Sequence, residues 1–203
     1  MIKKINGLLI VFLGITVTGF AQNITPLGIG TNAPETDRVI VDTSGLNTTL
    51  SDAADNNGLL VIFSCNTCPW VAKWEDQYNK LSNLAAQNDI GMIALNPNER
   101  TRNRGESMDD MRRRAQKQGY NFTYALDKDH SIADAFGATR TPEVFLFDAN
   151  LELVYHGAID DNANSDSEAN SRYLREAILA IASGEDIQIT ETQIQGCTIK
   201  RTE

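Results

Sequence analysis

The chain has 203 residues, 41% hydrophobic and 22% charged, with 18 lysines and arginines against 27 acids and a formal net charge of −9. Such a length holds an ordinary core, and the acidic balance argues against a nucleic-acid partner. Three cysteines exclude a disulfide-stapled miniature scaffold and leave one over after pairing.

Lys3 and Lys4 precede an apolar run over residues 8–17, and Gly19-Phe20-Ala21 reads as a small-x-small cleavage site. The expectation is an export signal over residues 1–21, followed by one mature domain over 22–203. An uncleaved anchor is the alternative, but the run is short of the roughly 20 residues that a spanning helix needs. Gln22, not a cysteine, follows the site, so no lipid-anchored form is indicated. Loss of the two lysines deepens the charge from −9 to −11. A periplasmic or secreted chain without stable membrane insertion then lives where disulfides persist.

Val39-Ile40-Val41-Asp42 and Thr48-Thr49-Leu50 flank the turn Ser44-Gly45 and predict a hairpin, with a polar connector over 51–57. The run over 59–63 is uninterrupted, as a strand covered on both faces requires. A helix over about 67–87 follows, because Val71, Trp74, Tyr78, Leu81 and Ala85 recur at helical spacing. Onward the pattern predicts a strand at 90–95, a polar loop at 96–105 and a helix at 106–118. A short strand at 122–126 and a short helix at 131–136 come next. Strands at 143–147 and 151–155 surround the turn at Asp148-Ala149-Asn150, and a closing helix at 169–182 ends near Gly184. This alternation predicts an α/β sandwich with a mixed sheet whose last two strands are antiparallel.

The chemistry concentrates at Ser64-Cys65-Asn66-Thr67-Cys68-Pro69-Trp70, where the buried strand hands over to a helix. Two cysteines three apart at a helix start bring their sulfurs within bonding reach, and the unpaired amides and dipole there favour a thiolate. Cys65 is expected to attack and Cys68, one turn further in, to resolve the mixed disulfide. A static disulfide is the bland alternative. Pro69 fits a first helical turn, where its missing N–H costs nothing.

With motif and element order in place, the chain resembles the thioredoxin-like superfamily in its redoxin or peroxiredoxin-like branch. The resemblance rests on Ile29-Gly30-Thr31-Asn32-Ala33-Pro34, on Thr49-Leu50-Ser51-Asp52, on the C-x-x-C, and on Thr141-Pro142 ahead of a strand. It extends to "V-Y-H-G-x-I-D-D" near residue 157 and "G-C-T-I-K" at the tail. It implies a thioredoxin-like fold with an N-terminal hairpin and helices on both faces of the sheet. An extra helix and strand would lie between the C-x-x-C helix and Pro142, which stands 77 residues after Cys65. It also implies that Pro142 is cis and that Thr141 pairs with a protein thiol or disulfide client. No cofactor is implied.

Some family features are missing. Ser64 stands where thioredoxins carry tryptophan, and Leu59 where they carry a buried acid. The Thr or Ser that peroxiredoxins place three before the cysteine is also absent: Ile62 precedes Cys65, and Cys65 precedes Cys68. The leading expectation is therefore an exported thiol–disulfide oxidoreductase served by an unidentified redox partner. A thiol peroxidase using Cys65 is one rival, and a non-enzymatic metal- or partner-binding module is another.

Four further features are weighed. His130 and His156 are candidates to join the cysteines at a metal, but the cysteine spacing is one residue short of the metal-binding relatives, and no metal is assigned. Arg100, Arg102, Arg104, Arg112, Arg113 and Arg114 form a basic cluster, either solvated or steering an acidic partner. Asp160-Asp161 opens a stretch to Glu168 expected to be an exposed loop. Cys197 is a buried filler, a tether to another chain, or a possible third redox thiol folding back to the C-x-x-C.

Overall fold

The structure is a computed structural model that describes residues 24–202, so the expected signal at 1–21 lies outside the described residues. Its centre is β3, Gly58–Phe63, buried at every position. A strand with no polar side chain must be covered on both faces, and the alternation of its residues divides the interior in two. Leu60 and Ile62 face one core with Val71, Trp74, Tyr78, Leu146 and Ile178. Leu59, Val61 and Phe63 face the other with Leu95, Phe136, Phe145 and Phe147.

The remaining elements arrange themselves around that strand. β1 (Ile40–Asp42) and β2 (Asn47–Thr48) form the hairpin, and α1 (Leu50–Ala53) occupies part of the expected connector. α1 forms there because Thr49 caps it, accepting from the amide of Asp52 at 2.9 Å. α2 (Pro69–Ala86) leads to β4 (Ile90–Asn96), α3 (Met108–Gln118) to β5 (Thr123–Leu126), and α4 (Ser131–Phe136) follows. Then come β6 (Arg140–Thr141), β7 (Glu143–Phe147), β8 (Leu153–Gly157), α5 (Tyr173–Ser183) and β9 (Cys197–Thr198).

Seven strands form one mixed sheet in the order β2-β1-β5-β4-β3-β7-β8. β3, β4 and β5 are parallel, while β7 runs antiparallel to β3 and β8 antiparallel to β7. β6 and β9 make a separate antiparallel pair, an element that the sequence patterns did not predict. Among the described residues no helix is long and apolar enough to cross a membrane.

Several boundaries moved for local reasons. α3 starts at Met108 because Ser107 and Asp110 cap it reciprocally, which leaves Glu106 outside. α5 starts at Tyr173, later than expected, because Asn170 donates to Asp161 and Asp161 to the carbonyl of Ser171, holding that stretch as a loop. Asp160 is not exposed as expected. It is buried and accepts from Trp74 Nε1 at 2.9 Å and Gln77 Nε2 at 2.7 Å, tying the loop to α2.

Asp127 anchors α4 by accepting from the amides of Ile132 at 2.9 Å and Ala133 at 2.8 Å. Burial nevertheless outweighs these bonds and pushes its carboxyl up from 3.8 to about 6. The folded protein thus holds a proton that the unfolded chain has released. This contribution to stability is present below about pH 4 and is lost as the pH rises through 6. It amounts to about 3 kcal/mol at 1.36 kcal/mol per unit. Urea unfolding at pH 4.5 and 7 should show this loss in the wild type and a flatter profile in Asp127→Asn.

Candidate redox site

β3 ends at Phe63, directly opposite Glu143 of β7, so the chain leaving β3 meets the chain entering β7. Ser64 is buried there, its hydroxyl 3.2 Å from that of Tyr78. The helix begins later than expected: Cys68 is the N-cap and Pro69 the first helical residue. Cys65 therefore lies in the loop before the helix and Cys68 at its rim. Both are buried, with 2% and 4% of their surface exposed.

The two sulfurs converge on one residue. Cys65 Sγ lies 3.2 Å from the hydroxyl of Thr141, and Cys68 Sγ lies 3.2 Å from the carbonyl oxygen of Thr141. The Thr141–Pro142 peptide bond is cis. Glu143, fully buried, fixes this segment: one carboxylate oxygen accepts from the amides of Thr139 and Arg140, each at 2.8 Å. Its other oxygen lies 2.9 Å from His156 Nε2.

In this structure Cys68 is joined to Cys197, with a Cα–Cα distance of 6.2 Å, and Cys65 is the free thiol. The pairing expected within the C-x-x-C is thus replaced by one that reaches the tail across 129 residues. Cys197 is neither a packed free filler nor a tether to another chain here, because it folds back to the site. Since a disulfide sulfur has no proton, the Cys68 contact with the carbonyl of Thr141 becomes a hydrogen bond only on reduction.

The expected thiolate at Cys65 is also corrected. Its thiol is pushed up to about 11, first by burial and then by the charge of Glu106. The Thr141 hydroxyl and the amides of Cys68 and Thr67 act the other way and are outweighed. Glu106, itself fully buried, accepts from the amides of Asn66 at 2.8 Å and Thr67 at 3.0 Å, from the Thr67 hydroxyl at 2.5 Å, and from Asn96 Nδ2 at 2.8 Å. It holds the loop between the cysteines and raises Cys65 in doing so. Sequence reasoning placed Glu106 only as the start of a helix and Glu143 only as the start of a strand. A carboxylate heading the apolar run Val144-Phe145-Leu146-Phe147 was a usable signal for Glu143. Glu106, 41 residues after Cys65, gave none.

The histidines are engaged elsewhere. His130 contacts Asp134 at 2.7 Å and Thr202 at 3.2 Å, while His156 is committed to Glu143 and stacks on Phe145. Among the described residues no three His, Cys, Asp or Glu side chains come together as metal ligands. Much of the arginine cluster is internal structure. Arg114 and Tyr120 both bond Glu75, Arg102 reaches Asn96 and the carbonyl of Glu106, and Arg112 and Arg113 pair with Asp109 and Asp110.

A central strand that delivers a dithiol to the residue before a cis-proline is the organisation of thioredoxin-like redox proteins, and this chain falls in that class. The Redoxin family profile matches residues 29–172, and the chain belongs to that family. A hypothetical protein from Sinorhizobium meliloti 1021 is 32% identical, with a TM-score of 0.79 over 88% of this chain and 97% of that one. An uncharacterized conserved protein from Geobacillus kaustophilus is 27% identical, with a TM-score of 0.78 over 86% and 93%. A putative thiol:disulfide interchange protein DsbE from Chlorobium tepidum shares the fold, at 18% identity and a TM-score of 0.61 over 77% and 99%. No curated protein matches the chain.

With Cys68 and Cys197 joined, alkylation of Cys65 should accelerate about tenfold per pH unit up to about pH 11. Glu106→Gln should lower that titration midpoint and so raise the rate at pH 8, by about tenfold for each unit recovered. An unchanged midpoint would show that the Glu106 charge does not reach the sulfur.

Proposed function

We propose that the protein is an exported thiol–disulfide oxidoreductase that exchanges disulfides with protein clients. The observation that carries this reading is the convergence of both C-x-x-C sulfurs on Thr141, the residue whose backbone precedes the cis-proline. An extended client laid along Thr141 as an added strand would present its own disulfide to Cys65.

The cycle starts from the form in which a partner dithiol has reduced Cys68–Cys197, and there Cys65, once deprotonated, attacks a client sulfur. A Cys65–client disulfide forms and the client's second sulfur leaves as a thiolate. The Cys68 thiolate then attacks Cys65 Sγ, forming Cys65–Cys68 and releasing the first client sulfur. The client gains two electrons and the enzyme becomes oxidised; a partner dithiol reverses this. Burial slows the first step by holding the Cys65 proton, and a client whose backbone bonds Thr141 offsets that by proximity. Export is supported by the charged and apolar pattern of the first 21 residues, and the disulfide-permissive compartment that it implies suits this chemistry.

The mature chain, residues 22–203, should reduce insulin in the presence of dithiothreitol. Cys65→Ser and Cys68→Ser should both fall to the rate of dithiothreitol alone. Cys68→Ser should also accumulate mixed disulfides with clients, which Cys65→Ser should not. Turnover of hydroperoxide without insulin reduction would instead make the protein a peroxidase.

A further inference from the structure

The exchange just described needs the backbone edge at Thr141, and the protein's own C-terminal segment lies on it. β9 pairs antiparallel with β6, setting Thr198 opposite Arg140 and Cys197 opposite Thr141. This is the place and manner in which an added client strand would sit, with a cysteine in register beside the nucleophiles.

The segment is fitted along its whole path. Upstream it lies against the free edge of β8: His156 donates to the carbonyl of Thr190 at 2.9 Å, and Thr192 donates to that of His156 at 3.1 Å. Downstream, Ile199 is buried in the second core and its amide bonds the carbonyl of Thr139 at 3.0 Å. Lys200 then bonds Asn98 at 2.8 Å. Close approach is written into two glycines. A Cβ at Gly157 would lie 2.1 Å from Thr192 Oγ1, and one at Gly196 would lie 2.6 Å from the carbonyl oxygen of Thr141. The residue before Cys197 therefore has to be glycine for the strand to seat.

We propose that Cys197 is the third thiol of the exchange centre, carried on a tethered substrate strand, and that the Cys68–Cys197 disulfide is a closed form with which clients compete for the edge at Thr141. This rests on the proposed thiol–disulfide exchange. The closed form opens without an outside oxidant. Cys65 loses its proton to water and its thiolate attacks Cys68 Sγ. The Cys65–Cys68 bond forms as Cys68–Cys197 breaks, and Cys197 leaves as a thiolate that takes up a proton. Two electrons are neither gained nor lost. In the reverse direction, Cys197 converts a newly oxidised C-x-x-C into the closed form and covers the edge.

The test uses the mature chain, fully reduced, oxidised with one equivalent of glutathione disulfide, quenched with acid, unfolded in denaturant with excess maleimide so that every remaining thiol is labelled, and mapped. The wild type should carry mainly Cys68–Cys197, with the maleimide on Cys65. Gly196→Val keeps the thiol but pushes the strand off Thr141, and should move the map toward Cys65–Cys68. Gly196→Val, which takes the strand off the edge, and Cys197→Ser, which removes the covalent lock on it, should both raise insulin reduction several-fold. A wild-type map showing only Cys65–Cys68, or two variants with unchanged rates, would overturn the tethered strand. Cys68→Ser separates the two readings: if it abolishes insulin reduction while the map or rates fail, exchange survives and the tethered strand falls. If Cys68→Ser reduces insulin normally, the exchange reading itself fails.

Discussion

The register of β3 against β7 is the constraint on which the site depends. Phe63 faces Glu143 and Leu59 faces Phe147, so two chains running in opposite directions reach the same end of the sheet together. One continues into Cys65, and the other arrives through Thr141-Pro142. A slip of one residue would turn every side chain of β7 to the wrong core. It would place Phe145, now edge-on to Phe63 and Phe136, against the helix α2 side. The packing that keeps this register therefore also sets the distance between each sulfur and Thr141.

Two buried carboxylates finish the site, and neither occupies the position at which thioredoxins bury theirs, where this chain has Leu59. Glu143 gathers the amides of Thr139 and Arg140 and holds the approach to the cis-proline. Glu106 gathers those of Asn66 and Thr67 and holds the loop between the cysteines. Each satisfies backbone donors that would be expensive to leave unpaired in a dry interior. For Glu106 the same charge opposes ionisation of Cys65, so the carboxylate that orders the loop also disfavours a thiolate there.

The motif near residue 157 acquires a physical meaning residue by residue. His156 meets Glu143, Gly157 admits the tail at Thr192, Ile159 enters the core, and Asp160 accepts from Trp74 and Gln77. The tail motif is its counterpart: Gly196 admits the backbone of Thr141, Cys197 reaches Cys68, and Ile199 fills the second core. Two motifs distant in sequence describe one strap and the groove that holds it.

The alternation of strands and helices, the buried central strand, the helix behind Pro69 and the mixed sheet were all legible in the sequence. Each depends on spacing within a few residues, where the periods of the strand and the helix act directly. That Cys65 and Cys68 lie beside Thr141 and a cis Pro142 was legible through local motifs and the family resemblance. The partner of Cys68, the roles of Glu106 and Glu143, the burial of Cys65 and the pairing of β9 with β6 were decided only by the tertiary structure. Cys68 and Cys197 are 129 positions apart, and even the short-range bonds of Glu143 depend on the burial of a carboxylate; burial and Coulomb interaction depend on distance in space, for which separation along the chain is no guide.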